Sequence, residues 1–233
     1  MSGSRVTVPV NGRSIEAYVS PAVGGRGPGI IVIQEWWGLV PHIEAICDRY
    51  ASEGFTALAP DLYHGKTTKS PDEAGKLLMA LDVESAARDL RSAISYLLDH
   101  SATLGSTVGS VGFCMGGMLS LFAAGGNPEV AACIDYYGVH PNIHPDFGNM
   151  QSKVLGFFGA EDQMVSPPVV RELEAKLKAA GRSAEFHTYD GAGHAFFNDE
   201  RPEAYVESAA TDSWNRSLAF FRVHLANNGP GRR

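Results

Sequence analysis

The sequence predicts an α/β fold in which a mainly parallel sheet carries helices on both faces and starts with an antiparallel hairpin. Short unbroken apolar runs such as "IIVI" (30–33) are typical of strands that are covered on both sides. These runs alternate with segments of helical periodicity along nearly the whole chain. Near the N-terminus, Asn11-Gly12 joins two β-like runs, which is a strong signal for a hairpin turn.

The first half of the chain continues from the hairpin in the same alternation. The strand at 30–33 runs into "QEWWG", and a helix is predicted from Ile43 to Glu53 because Gly54 is a typical helix terminator. The segment "TALAPDLY" (56–63) is predicted to be a second buried strand.

The most regular helix is predicted over 83–98. Its apolar residues recur at helical spacing, namely Val83, Ala86, Ala87, Leu90, Ile94, Leu97 and Leu98. Asp82 stands at the position of an N-cap.

The second half repeats the strand and helix pattern. Strands are predicted at 107–113, 130–138, 153–162 and 183–191. Helices are predicted at 115–125, from Ser166 to Gly181, and at 203–225. The tail at 227–233 is expected to be frayed, and residues 1–233 are expected to form a single domain.

Composition restricts the class of protein. Hydrophobic residues make up 44% and charged residues 19%, which is ordinary for a globular protein. The net charge of −7 argues against a nucleic-acid partner, since nucleic acids select basic surfaces. No apolar run is as long as a membrane span, and the first residues lack the hydrophobic core of a signal peptide. We therefore expect a cytoplasmic protein whose three widely spaced cysteines form no disulfide framework.

The segment "SVGFCMGGML" (110–119) reads as a strand, a tight glycine turn and a helix, with Cys114 at the apex. The pattern Gly112-x-Cys114-x-Gly116 has the spacing of a nucleophile elbow, in which small neighbours allow a strained central residue. The N-terminus of the following helix would stabilise a thiolate, and the Met115 N–H would serve as an oxyanion donor. The alternative is that Cys114 is an inert, small core residue.

Two further residues fit the same chemistry. Asp162 follows one apolar strand, and His194 follows the next strand in a glycine-containing loop. Singly, each has an ordinary explanation as a loop carboxylate or a structural histidine. Together with Cys114 they stand at strand ends in the order nucleophile, acid, histidine, which is the order of the α/β-hydrolase triad. Glu35 also follows a buried strand, and it is either a solvent-facing loop glutamate or a carboxylate inside the pocket.

The chain resembles the dienelactone hydrolase (carboxymethylenebutenolidase) family, which has the α/β-hydrolase fold. The resemblance rests on "IVIQEWWG", "ALAPDLY", "GFCMGG", "DYYGV", "GAEDQMVSP" and "GAGHAF", in that order. It implies Cys114 as nucleophile, His194 as base and Asp162 as the residue that orients His194. It also implies that Glu35 keeps the resting thiol neutral and that the Trp36 N–H is the second oxyanion donor.

The sequence departs from this family in the residues that hold the substrate. The family uses two arginines for the carboxylate of its substrate, and Asn198 occupies the position expected for one of them, with Arg201 three residues further on. For the other, the nearest cations are Lys69 and Lys76. The candidate substrate contacts are Trp37, Tyr137, Asn198 and Arg201.

These observations predict a hydrolase that cleaves an ester or lactone through a cysteinyl thioester. No cofactor or metal is expected, since His140 and His144 lack a third ligand nearby, and the partner is a small-molecule substrate. The oligomeric state is left open. One alternative is a broad-specificity carboxylesterase for neutral esters. Another, from a different class, is a non-catalytic binding or redox-sensing protein on a hydrolase scaffold.

Overall fold

The computed structural model describes residues 3–225. Eight strands form one sheet in the order β1-β2-β4-β3-β5-β6-β7-β8. The strands are β1 (Ser4–Val10), β2 (Arg13–Ser20), β3 (Gly27–Ile33), β4 (Thr56–Pro60), β5 (Thr103–Phe113), β6 (Val130–Tyr136), β7 (Lys153–Gly159) and β8 (Ala184–Tyr189). The helices are α1 (Pro41–Ser52), α2 (Pro71–Met79), α3 (Val83–Asp99), α4 (Met115–Gly126), α5 (Pro167–Ala179) and α6 (Glu207–Leu225). The predicted α/β fold class is confirmed.

The predicted hairpin is present at one edge of the sheet. β1 and β2 pair antiparallel from Ser4 opposite Val19 to Val10 opposite Arg13. Asn11 and Gly12 both have positive φ, as a two-residue turn between twisted strands requires. β2 also pairs antiparallel with β4, and every pairing from β4 to β8 is parallel.

Each face of the sheet has its own hydrophobic core. On one face, Leu90 and Leu97 of α3 pack with Leu119 of α4. On the other face, Ile43 of α1 packs with Phe221 of α6. The short apolar runs of the sequence are therefore strands that are buried on both sides.

The predicted element boundaries need small corrections. β4 ends at Pro60 rather than at 63, because the Asp61 carboxylate accepts hydrogen bonds from the Tyr63 and Gly65 N–H groups and turns the chain. α6 starts at Glu207 rather than at 203, since residues 201–206 form backbone-bonded turns instead.

The predicted N-cap of α3 is confirmed. The Asp82 side chain accepts hydrogen bonds from the N–H groups of Glu84 and Ser85 at 3.0 and 3.1 Å. The tail predicted to be frayed, 227–233, lies outside the described residues, and the single-domain organisation stays a prediction. In the described part of the chain, none of the helices combines the length and apolar character that a membrane crossing requires.

The carboxyl ends of β3, β5, β6, β7 and β8 lie at the same edge of the sheet because these strands are parallel. The loops that leave this edge carry the residues singled out in the sequence.

Candidate active site

The turn Gly112–Gly116 connects β5 to α4. It is called the nucleophile turn below because it carries the candidate nucleophile, Cys114. Cys114 has φ of 55° and ψ of −120°, a strained conformation for a residue with a side chain, and it is the N-cap of α4. A Cβ atom at Gly112 would collide with the carbonyl oxygen of Gly116. Glycine at this position is therefore what allows the chain to reverse so sharply.

The nucleophile turn is fastened to its neighbours by main-chain contacts. A Cβ atom at Gly116 would collide with the carbonyl oxygen of Ile33, so the first turn of α4 packs directly on the end of β3. The Cys114 N–H donates to the Tyr136 carbonyl at 3.0 Å, and the Cys114 carbonyl accepts from the Val139 N–H at 3.2 Å. These contacts hold Cys114 between the exits of β3 and β6.

Asp162 and His194 are in direct contact, as their positions after β7 and β8 suggested. His194 Nδ1 lies 2.8 Å from Asp162 Oδ2. The other oxygen of Asp162 accepts from the N–H groups of Met164 and Val165 at 2.7 and 2.9 Å. Burial raises the pKa of Asp162, but the hydrogen bonds from His194, Val165 and Met164 outweigh it and keep this pKa below its ordinary value. The carboxylate is thus ionised and fixed in orientation.

The pKa of His194 is raised by its neighbours. Burial lowers its pKa, but hydrogen bonding and charge from Asp162 and Cys114 outweigh burial and raise the pKa to about 10. Its second ring nitrogen, Nε2, is buried and makes no hydrogen bond of normal geometry within residues 3–225. The electrostatic influence of Cys114 on the ring nevertheless shows that the two side chains are neighbours.

Glu35 is buried, not a solvent-facing loop residue. It is 2% exposed, and its Oε2 accepts a hydrogen bond from Asn198 Nδ2 at 2.8 Å. Burial raises the pKa of Glu35, and the charge of His42 and the Asn198 hydrogen bond offset this only in part. The solvent-facing alternative is therefore wrong, and the residue at the expected arginine position binds the Glu35 carboxylate; the role of Glu35 toward Cys114 stays a prediction.

A cavity of about 610 Å³ adjoins the Glu35–Asn198 pair. Its wall includes Trp37, His42, Lys69, Asn198, Arg201 and Glu203. The Arg201 guanidinium stands 5.8 Å from the centre of the Trp37 ring and is paired with Glu203 at 2.8 Å. Lys69 brings a second cation to the same wall, while Lys76 is paired with Glu73 on α2.

Tyr137 follows β6 with φ of 42°, an unusual conformation for a bulky residue. The side chain is fully buried, and its ring centre lies 5.0 Å from that of His194. Burial raises the pKa of Tyr137, and the charges of Glu35 and Cys114 raise it further. The tyrosine thus lies among the residues predicted to carry the chemistry.

Two residues near the site were not singled out from the sequence. The Tyr63 hydroxyl donates to Met115 Sδ at 3.2 Å, and the charge of Cys114 acts on it. His42, in the first turn of α1, is 3% exposed and lies close enough to act on Glu35. The sequence feature that could have identified His42 is its position directly after Pro41, where α1 starts close to "QEWWG".

His140, one of the two histidines considered above as metal ligands, makes structural hydrogen bonds. Both ring nitrogens of His140 are engaged, one with the Leu78 carbonyl at 3.0 Å and the other with the Asn142 N–H at 3.1 Å. Within residues 3–225 no group of three or more His, Cys, Asp or Glu side chains is placed to hold a metal ion.

Comparison with known proteins identifies the family. The profile of the Dienelactone hydrolase family matches residues 15–225. The chain is 34% identical over 230 residues to "Protein usf" of Aquifex pyrophilus, covering 96% of this chain and 99% of that protein. It is 32% identical over 247 residues to the "Putative carboxymethylenebutenolidase" of Salmonella typhimurium, covering 98% and 90%.

A solved structure agrees with these relatives. The crystal structure of the "Putative Dienelactone Hydrolase" from Klebsiella pneumoniae superimposes with a TM-score of 0.85 at 29% identity, covering 94% of this chain and 97% of that one. With the family profile matching most of its length, the chain belongs to the dienelactone hydrolase family and is an ester or lactone hydrolase.

Proposed function

We propose that the protein cleaves its ester or lactone through a thioester on Cys114. The observation that carries this proposal is the position of Cys114 as the strained N-cap of α4, next to a histidine that Asp162 holds at 2.8 Å. A nucleophile, a base and a group that orients the base are the three parts that covalent catalysis of this kind requires.

The first half of the reaction is acylation. The Cys114 thiolate, whose proton has passed to Glu35, attacks the carbonyl carbon while the N–H groups of Met115 and Trp36 stabilise the oxyanion. The carbon–oxygen bond of the ester then breaks, and the leaving oxygen takes a proton from the His194 imidazolium, which becomes the neutral base for the second half. In a lactone this oxygen stays in the acyl group, because the ring opens without losing a fragment.

The second half is deacylation. His194 takes a proton from water, and the resulting hydroxide attacks the thioester carbonyl. The carbon–sulfur bond breaks, the acid leaves, and the Cys114 thiolate takes its proton back from Glu35. Asp162 fixes the tautomer of His194 throughout and stabilises its imidazolium form.

Glu35 is proposed to control the resting thiol. A carboxylate near the thiol adds negative charge and so favours the neutral thiol over the thiolate. Burial makes this carboxyl group ready to accept a proton, since its pKa is raised. Substrate binding would let Glu35 take the proton of Cys114, which forms the thiolate only when there is a carbonyl to attack.

The test of this proposal uses Cys114→Ala and His194→Asn with an activated ester. We expect Cys114→Ala to lose several orders of magnitude in kcat with little change in fold, because it lacks the nucleophile. We expect His194→Asn to accumulate a thioester that intact mass spectrometry detects. If Cys114→Ala keeps more than about a tenth of the wild-type kcat, covalent catalysis by this cysteine is wrong.

The substrate class has a second candidate, a neutral ester. Asn198 is engaged with Glu35, and Arg201 is neutralised by Glu203, so the wall of the cavity lacks a pair of free arginines for a substrate carboxylate. A panel that compares kcat/KM for dienelactone with that for neutral p-nitrophenyl esters separates the two classes. Preference for dienelactone by more than about tenfold would reject the neutral-ester candidate. Family membership speaks against the non-catalytic alternative.

A further inference from the structure

Asp135, near the end of β6, is a buried carboxyl group that the proposed mechanism does not use. It is 0% exposed, and neither of its oxygens makes a hydrogen bond of normal geometry within residues 3–225. Burial raises its pKa to about 7, even though the nearby Gly138 N–H and the charge of His194 lower it. Such a group can change its charge in the range where most enzymes work.

The position of this carboxyl group is defined by two glycines. A Cβ atom at either Gly117 or Gly138 would collide with Asp135 Oδ1. Gly117 is in the first turn of α4, and its N–H donates to the Cys114 carbonyl at 2.9 Å. Gly138 directly follows Tyr137, whose φ is 42°. The carboxyl group therefore lies between the helix end that supports Cys114 and the turn that supports Tyr137.

Few ionisable groups surround Asp135. Its neighbours on β5 and β7 are Gly112 and Gly156, and α4 contains no ionisable side chain. On its own strand, Cys133 is two residues away, and burial, reinforced by the charge of Asp135, raises the pKa of that thiol. From the loop after β8, the charge of His194 acts on Asp135. No cation is paired with Asp135 among the described residues.

We propose that Asp135 is a positioning residue of the nucleophile turn. When Asp135 ionises, its negative charge lies beneath the N-terminus of α4 and slows acylation. The inference rests on the proposed function of Cys114, through which Asp135 acts. When the carboxyl group is neutral, the positive end of the α4 dipole remains available to the thiolate and to the oxyanion at the Met115 N–H. When it is ionised, its charge opposes both.

The predicted signature is a ratio that changes with pH. Asp135→Asn keeps the shape of the side chain and removes its charge, so it should match the wild type at low pH. We expect kcat/KM of Asp135→Asn divided by that of the wild type to be about one near pH 6. The ratio should rise to the order of tenfold near pH 8.5, with a midpoint near 7.

The matched control is Asp89→Asn, which changes another fully buried aspartate. Asp89 lies on α3, where it is paired with Arg13 and His64, and the kcat/KM ratio of Asp89→Asn to the wild type should not vary with pH. A ratio for Asp135→Asn that is also independent of pH would mean a purely structural role and would overturn the inference.

This readout is separate from the test of the nucleophile. A pH-independent ratio in an enzyme that Cys114→Ala inactivates refutes only the role of Asp135, whereas an active Cys114→Ala refutes the proposed function.

A second measurement does not depend on a variant that folds. Wild-type protein labelled with carboxyl-¹³C aspartate should show an infrared band of a protonated carboxyl group at about pH 6 that is lost by about pH 8.5. The label separates Asp135 from Glu35, whose carboxyl group is also buried. If no labelled carboxyl group titrates in this range, the inference is wrong.

Discussion

Substitution of Asp162 by asparagine is the sharpest test of how the site is built. Asparagine can keep its Oδ1 on the N–H groups of Met164 and Val165, which hold the aspartate at 2.7 and 2.9 Å. The amide Nδ2 then faces His194 Nδ1 in place of a carboxylate oxygen. Because Nδ2 only donates, Nδ1 must accept, and the imidazole proton moves to Nε2. In that tautomer Nε2 cannot take a proton from the attacking water.

The size of the effect follows from the pKa of His194. Its rise from 6.5 to about 10 corresponds to about 5 kcal/mol of extra stabilisation of the imidazolium. Asp162 and Cys114 together outweigh the opposing effect of burial, and asparagine removes the share of this stabilisation that comes from the carboxylate charge. The wrong tautomer adds to this, and loss of the orienting carboxylate in a serine protease lowers kcat by about 10⁴. We therefore expect kcat/KM to fall by about 10² to 10⁴.

The assay is kcat/KM with an activated neutral ester, at a pH where the wild type is most active. Asp190→Asn is the matched control, since it makes the same change at an exposed residue of the loop that carries His194. We expect this control to stay within about twofold of the wild type. A fall of less than about tenfold in Asp162→Asn, with the fold intact, would refute the role of Asp162 as the residue that orients the base.

Two further predictions concern the buried glutamate and the nucleophile turn. Glu35→Gln removes the carboxylate that favours the neutral thiol, so the thiol should react faster with iodoacetamide at neutral pH while turnover falls. The control is Glu200→Gln, which makes the same change at an exposed position on the cavity wall. An unchanged or slower alkylation rate in Glu35→Gln would contradict the proposal that Glu35 keeps the thiol neutral. Gly112→Ala places a Cβ atom against the Gly116 carbonyl and should destabilise the fold by about 1–3 kcal/mol and abolish activity, as followed by thermal unfolding and turnover. Gly75→Ala, whose added Cβ atom meets open space in α2, should do neither, and a stable, active Gly112→Ala would show that the turn tolerates a side chain.

Features that depend on nearby residues were predictable from the sequence. Asn11-Gly12 predicted the hairpin, and Asp82 predicted the start of α3, because turns and caps are decided by residues a few positions apart. Apolar periodicity likewise predicted the alternation of strands and helices. The strand-end positions of Asp162 and His194 followed from that alternation, and the structure joins the two side chains at 2.8 Å.

The contacts that tune the site were not predictable in this way. The hydrogen bond between Asn198 and Glu35 joins residues 163 positions apart, whereas the resemblance to the family suggested that Asn198 contacts the substrate. The ion pair between Arg201 and Glu203 neutralises a candidate substrate-binding cation. It could not be predicted either, because it depends on the local geometry of the loop.

The sequence by itself determined the fold class, the nucleophile turn and the order of the candidate catalytic residues, because periodicity and glycine spacing express local backbone preferences. Only the tertiary structure decided the electrostatics. Asp135 looks like any strand residue in the sequence, but it becomes a buried carboxyl group because β5 and β7 oppose it with glycines and Gly117 and Gly138 close over it. Burial and the distance to other charges set a pKa, and both depend on which segments pack together rather than on which residues are adjacent in the chain.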